Sequence, residues 1–442
     1  MKSIHEASSF PQVRLKYLVN RIPGGTPDSR REEFWSDGTI PWISISDMSN
    51  RHSVGETAKK ITPEARQKAG LEIGPAGTVL FAMYASVGEV AVTEIDAVWN
   101  QALIGLVPKS QRLSPSFLHY YLLAVRPYLP ALYRSNTQNN LNAEQVENLR
   151  LPLPPRSQQE EIVAFLDRET AEIDAFIADQ ERLIELLEER RAATITHTVT
   201  KGLDPTVPMK DSGVKWLGEV PRHWGIRKLK SFVATPITDG PHETPELVSE
   251  GVPFVSAEAV SSGVLDFKNI RGYISLEDHR RFSRKYSPQR GDIYMIKSGA
   301  TTGRCALVDT DADFSIWSPL AVIRCDDTAS PRFVLHALRS ANFQESVRLF
   351  WNYGTQQNIG MKVLENLPIP FPDIAEQHEL AAYLDGEVAE LDAAVADARE
   401  AIVLSRERRA ALIAAAVTGQ LDVSQAQSRG SAGEVLEQGV RV

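Results

Sequence analysis

TQNNLNAEQVENLRLPLPPRSQQEEIVAFLDRETAEIDAFIADQERLIELLEERRAATITHTVTKGLD, residues 137–204, returns as TQQNIGMKVLENLPIPFPDIAEQHELAAYLDGEVAELDAAVADAREAIVLSRERRAALIAAAVTGQLD at residues 355–422. The offset is a constant 218 without a gap, and 32 of the 68 positions are identical. A repeat of this length is an architectural unit used twice. The sequence before each copy is matched far more loosely, so a shared segment follows a divergent one in both halves.

Each copy opens on prolines, LPLPP at 151–155 and LPIPFP at 367–372, which cannot continue a helix. From Gln158 to about Val199 there is then neither Gly nor Pro. Apolar residues fall at Ile162, Leu166, Ile173, Ile177, Ile184 and Leu187, close to a 3.5-residue period. The second copy offers Leu380, Leu384, Val388, Leu391, Val395 and Ile402. Each run predicts a helix roughly 60 Å long at ~1.5 Å per residue. Leu166, Ile173, Ile177, Ile184 and Leu187 are expected to pack against Leu384, Val388, Leu391, Val395 and Ile402. The block between the helices has an expected radius of gyration near ~15 Å. Parallel helices would make it bridge the whole helix length, so an antiparallel pair is expected, with a pseudo-two-fold relation between the halves.

At 442 residues the chain exceeds one ordinary domain. Its two cysteines, Cys305 and Cys325, make no metal pattern or disulfide framework, which fits a reducing cytoplasm. No signal-peptide pattern or apolar run near 18 residues is present, so neither secretion nor a membrane span is expected. The net charge of −9 is unevenly placed. Residues 1–156 carry 17 basic and 14 acidic side chains, and residues 201–373 carry 21 and 20. The acid is in the repeats, with 4 against 11 over 157–200 and 4 against 10 over 374–422. The overall charge reports the helices and hides the blocks between them.

No catalytic machinery is visible. There is no GxxxxGK[ST] phosphate loop, and GATTGRC at 299–305 lacks the lysine and reads as a strand turn. HExxH, CxxC, GxSxG and the Asn-Pro-Pro-aromatic signature of amino-methyltransferases are all missing. Carboxylate pairs along the acidic helices are accounted for by a solvated helix face, and His197 by a helix surface. What remains is a basic stretch in the same slot of each block. Lys268, Arg271, Arg280, Arg281, Arg284, Lys285, Arg290, Lys297 and Arg304 stand against three acids, and Arg51, Lys59, Lys60, Arg66 and Lys68 against Glu56 and Glu64. Such cations could neutralise phosphates and release counterions. An amide-rich segment precedes each repeat: Asn136, Gln138, Asn139 and Asn140 in the first block, Gln356, Gln357 and Asn358 in the second. Asn and Gln can pair with adenine edges, but the shared Thr-Gln is better suited to fixing the loop or touching phosphate. Specificity is expected where the blocks differ.

The pattern ENLxLPxPPxxxQxEIxxxLD, an acidic helix and ERRxAxxxxxVTxGL closely resembles the DNA-specificity subunit of type I restriction–modification systems. So do KGLDPTVPMKDSGVKWLGEVPRHW at 201–224 and IPGGTPDSRREEFWSDGTIPWISISDM at 22–48. The resemblance covers roughly residues 12–422. It implies an α+β chain with two mixed α/β target-recognition domains, joined by two long antiparallel coiled-coil helices in a pseudo-two-fold tandem repeat. The expected boundaries are 1–150 for the first domain, 151–203 for repeat 1 and its helix, and 204–225 for a connector. The second domain is expected at 226–368, repeat 2 at 369–422, and a disordered tail at 423–442. One departure stands out, since MKSIHEASSFPQVRLKYL lacks the KDSGVKWLGEVP that precedes the second block. Helix two is therefore expected to meet a shorter N-terminal segment.

The resemblance further implies that each domain reads one half of a bipartite, asymmetric site in double-stranded DNA, with the helices setting the gap. Two methyltransferase subunits would dock on the chain and methylate adenine N6 from S-adenosylmethionine, and two restriction/translocase subunits would join them with ATP and Mg. The target base would be flipped into a partner's pocket. This chain is then a non-catalytic cytoplasmic subunit, with no catalytic residue, cofactor or metal of its own. Two other readings compete: the same scaffold serving a different phage-defence effector, and a coiled-coil scaffold with two protein-binding domains.

Overall fold

The computed structural model describes residues 8–49, 51–133, 140–350, 352–353 and 357–424. The chain divides into two compact units, 1–180 with 400–442, and 181–399. Each unit therefore takes half of each repeat helix. The first long helix spans Arg156–Lys201 and the second Ile374–Thr418, 46 and 45 residues. The first begins two residues before the Gln158 start of its glycine- and proline-free run, and the second continues through Gly386. In the second, Asp373 Oδ1 accepts from Glu376 N at 2.9 Å and supplies the N-terminal cap.

In the first unit the core joins Ile162, Phe165, Leu166 and Ile173 to Leu412, Ile413, Ala416 and Val417. The start of one helix thus packs on the end of the other, and Asp174 pairs with Arg409. In the second unit Ile195 and Val199 join Leu380, Leu384 and Val388. There Arg399 pairs with Glu188 and Arg191 with Asp392, so advancing along one helix means retreating along the other. Within each unit the helical segments are antiparallel. Leu166, Ile173, Leu384, Val388, Leu391, Val395 and Ile402 are all buried, while Ile177, Ile184 and Leu187 are half-buried.

The globular part of each unit repeats one topology. In the first unit, strand Ile40–Ile43 lies between antiparallel Lys59–Ile61 and parallel Val98–Trp99. In the second, Val252–Val255 lies between antiparallel Gly272–Ile274 and parallel Ser315–Ile316. A second sheet orders Val19–Pro23, Leu103–Pro108, Val79–Ala82 and Val90–Thr93, with Ser53–Val54 added at its edge. Its counterpart orders Thr238–Asp239, Leu320–Ile323, Ile293–Ile296 and Cys305–Leu307. A short antiparallel pair ties the start of each block to the approach to its helix: Gln12–Arg14 with Arg150–Pro152, and Gly225–Lys228 with Pro368–Phe371.

One shared glutamine fastens each domain to its long helix. Gln159 Oε1 accepts from Ser114 N, and its Nε2 donates to Arg112 O and Pro154 O, all at 2.9 Å. Gln377, 218 positions on, accepts from Ser330 N at 2.8 Å and donates to Thr328 O and Pro372 O. Both are fully buried. Losing either orphans backbone groups, at a cost of about 1–3 kcal/mol each.

The connector forms a hairpin, Met209–Asp211 with Glu219–Pro221, and Trp216 meets Phe350 edge-on. In the first unit the end of helix two meets the N-terminal segment instead, where Ser9 N donates to Thr418 O at 3.0 Å. Val423, assigned by composition to the polar tail, is buried in the first unit's core, and residues 425–442 lie outside the described residues.

Candidate nucleic-acid interface

The basic slots fall on equivalent elements. Lys59 and Lys60 lie on the edge strand Lys59–Ile61 of the first unit's three-stranded sheet, and Arg66 and Lys68 on the helix Pro63–Lys68 that follows. In the second unit Arg271 directly precedes the edge strand Gly272–Ile274, and Arg280 and Arg281 lie on helix Leu276–Ser283. Thr62 caps the first helix and Ser275 the second, so both chains turn from strand to helix in the same way.

The cations divide by what already holds them. Among the described residues, exposed Arg51, Lys60, Lys268, Arg280, Arg284 and Arg304, and half-buried Arg66, have no ion-pair partner. Lys59 lies over the Trp35 ring, and Lys68 pairs with Glu64 at 2.7 Å. Arg271 stacks 4.2 Å from the Trp317 ring and reaches Glu258. Arg281 is shared by Glu243 and Asp278, and Arg290 by Asp309 and Asp311. Lys285 Nζ lies 2.5 Å from Asp239 Oδ1 and Lys297 Nζ 3.1 Å from Oδ2, with His242 at 3.1 Å. Burial pushes the Asp239 carboxyl up, but hydrogen bonds and charge from Lys285 and Lys297 outweigh it and hold it below the usual carboxylate range. A run of positive sequence therefore overstates the free positive surface.

This cluster joins the basic helix to the amide-rich segment. Lys285 also donates to Gly240 O at 3.0 Å. Lys297 N donates to Pro319 O, and Ile359 N donates to Lys297 O at 2.9 Å. Ile359 immediately follows the pairing of Asn352–Tyr353 with Gln357–Asn358. Asn136, Gln138, Asn139 and Gln356 lie outside the described residues; Gln357 is placed by its backbone alone.

The first unit repeats these bonds with different side chains. Met83 N donates to Ala102 O at 2.8 Å, and Leu141 N to Met83 O at 3.0 Å. Met83 stands where Lys297 does, and Pro23 where Asp239 does, so the ion pair on buried Asp239 in one domain is replaced by apolar side chains in the other. Gly24 and Gly240 coincide as well. A Cβ on Gly24 would fall 2.0 Å from Asn100 O, and one on Gly240 2.3 Å from Ile316 O. That close approach requires glycine, and the aligned IPG at 22–24 and TDG at 238–240 carry the sequence signal for it.

Among the described residues no group of three or more His, Cys, Asp or Glu is placed to hold a metal, and no helix is long and apolar enough to cross a membrane. The structure thus defines a tandem of two related domains, each carrying basic side chains at an edge strand and on the helix that follows it.

The comparisons give that class its family. The family model described as Type I restriction modification DNA specificity domain matches residues 9–186 and 221–393. The MjaIX specificity subunit of Methanocaldococcus jannaschii is 22% identical over 70% of this chain and 71% of its own length. The EcoBI specificity subunit of Escherichia coli is 23% identical over 74% and 69%. Two solved structures share the fold. One, from work on complex assembly and conformational transition of the type I R-M system, has a TM-score of 0.65 at 18% identity, covering 93% of this chain and 98% of that one. The other, the HsdS subunit from Thermoanaerobacter tengcongensis, has a TM-score of 0.52 at 17% identity, covering 93% and 97%. The chain belongs to the type I restriction–modification DNA specificity family, as a specificity subunit with two DNA-recognition domains.

Proposed function

We propose that each globular domain reads one half of a bipartite, asymmetric site in duplex DNA, and that the paired helices set the distance between the halves. One observation carries this reading. The two domains repeat the same backbone bonds around Met83 and Lys297 while exchanging the side chains there, as readers of two unlike sequences require. The unpaired cations Lys60, Arg66, Arg280 and Arg284 supply sequence-independent attraction to phosphates. Side chains at the ends of the strands supply discrimination.

Catalysis belongs to partners in this reading. Two methyltransferase subunits dock on the chain and methylate adenine N6 using S-adenosylmethionine, and two restriction subunits add ATP- and Mg-dependent translocation and cleavage. The assembly works in the cytoplasm. No step of bond making is assigned to this chain. Sequencing that detects modified bases, in a host expressing the chain with its methyltransferase partner, tests the reading. The expected product is one interrupted motif with two different halves. A continuous motif, or no methylation dependent on this chain, would contradict it.

A further inference from the structure

Residues 83–88 form a tight turn between strands Val79–Ala82 and Val90–Thr93, closed by Gly88 N donating to Ala82 O at 3.0 Å. The turn is anchored from both sides by the bonds Met83 N to Ala102 O and Leu141 N to Met83 O. Ala85 sits at φ +57°, a left-handed conformation that alanine avoids. Its counterpart in the second domain is Gly299, at φ +106°, which tolerates it. The first domain thus keeps a strained residue where the second keeps glycine. Beside it Tyr84 projects to solvent, 40% exposed, and its hydroxyl has no hydrogen-bond partner among the described residues. Packing does not account for an aromatic ring held outward on a strained, doubly anchored turn. Strain of this kind gathers where a side chain must be presented to something outside the fold.

We infer that Tyr84 is a base-reading residue of the first half-site, its ring and hydroxyl meeting a base edge in the DNA groove. The inference rests on the two-reader function proposed above and names the residue that executes part of it. Three features support it. The turn adjoins the described end of the amide-rich segment at Leu141. The equivalent position in the second domain is Ser298, so the two domains differ here in reach and chemistry while sharing the scaffold. An uncharged aromatic ring with a free hydroxyl suits discrimination among base edges better than neutralisation of phosphate.

The test uses the full chain assembled with its methyltransferase partners. Tyr84→Ala and Tyr84→Ser are compared with the parent by methylation mapping. Binding is also measured to duplexes altered at each base of the first half-site. Tyr84→Ser installs the residue with which the second domain folds at this position, so it serves should Tyr84→Ala fail to fold. The expected result is relaxation at one base of the first half-site, with discrimination there falling about tenfold. The second half-site should be read as before. A folded variant that keeps every base preference overturns the assignment of Tyr84 and leaves the two-reader model standing. Uniform weakening across all the duplexes also overturns it, since that is the mark of a backbone contact. Relaxation of both half-sites together overturns the two-reader model and this inference with it.

Discussion

Arg409 grips Asp174 with two hydrogen bonds, Nε to Oδ1 at 2.9 Å and Nη2 to Oδ2 at 3.1 Å. The repeat makes this pair twice. Arg191 and Asp392 stand 218 positions from Arg409 and Asp174, and Arg191 Nε lies 2.9 Å from Asp392 Oδ1. Each repeat therefore supplies one carboxylate and one guanidinium, each suited to the other copy. That is the ion-pairing pattern of a two-fold dimer written into one chain.

A half-length chain of residues 1–204 should exploit it. Two copies can pair Asp174 of one with Arg191 of the other, twice, while their apolar stripes meet. Such a dimer carries two identical readers and should direct methylation of an interrupted palindrome built from the first half-site. Light scattering should show concentration-dependent dimerisation. Asp174→Arg should weaken the dimer, and Asp174→Arg with Arg191→Asp should restore it. A stable monomer of the parent half-chain would contradict the argument.

The helices should act as a ruler. Four residues inserted after Glu185 and again after Val403 lengthen both helices by about 6 Å at ~1.5 Å per residue. At ~3.4 Å per base step the preferred gap should grow by one or two base pairs. Retained activity with an unchanged gap would place the spacing outside the helices.

Cations without partners should differ from those already held. Arg280→Gln with Arg284→Gln should weaken binding to any duplex and flatten its salt dependence by up to about one unit per lost phosphate contact. Arg290→Gln should leave the salt slope unchanged, since Asp309 and Asp311 already engage that guanidinium. If the Arg280 and Arg284 changes altered sequence preference with the slope intact, these residues would be base readers.

Acid should unfold the first domain through His119. Burial, reinforced by His52 and Arg409, pushes its imidazole down to about 3, so the folded state keeps it neutral. The unfolded chain takes up that proton near pH 6.5, so stability present at pH 7 is lost as pH falls from about 6.5 towards 3. At pH 5 the loss from this group is about 2 kcal/mol. The second domain carries Leu335 at the equivalent position, so His119→Leu is a substitution this fold accepts. Denaturant titrations of His119→Leu should show a shallower decline between pH 7 and pH 5. An equal decline would locate the acid sensitivity elsewhere.

The repeat helices could be read in advance because their signal is local. In the first, glycine and proline are absent over some forty residues and Leu166, Ile173 and Ile177 recur at helical spacing; the second keeps that spacing through Gly386. Antiparallel pairing followed from chain reach alone. The interface was harder to read, because its parts are joined across long separations. Counting charge found Lys285 and Lys297 but not Asp239, which lies 46 and 58 positions away and absorbs both. Amide content marked the segments before each repeat, yet nothing local marked Tyr84. Its significance comes from the strain at Ala85 and from bonds to Ala102 and Leu141. Gln159 and Gln377 looked like polar members of an acidic helix and are fully buried clasps.

The most direct test of the central claim is an exchange of one reader. Residues 13–150 would be replaced by the matching block of a relative with a different site, keeping both repeats, and the methylated motif mapped in cells with the methyltransferase partner. The account predicts a new first half, an unchanged second half and an unchanged gap. A change in both halves, or in neither, would contradict it.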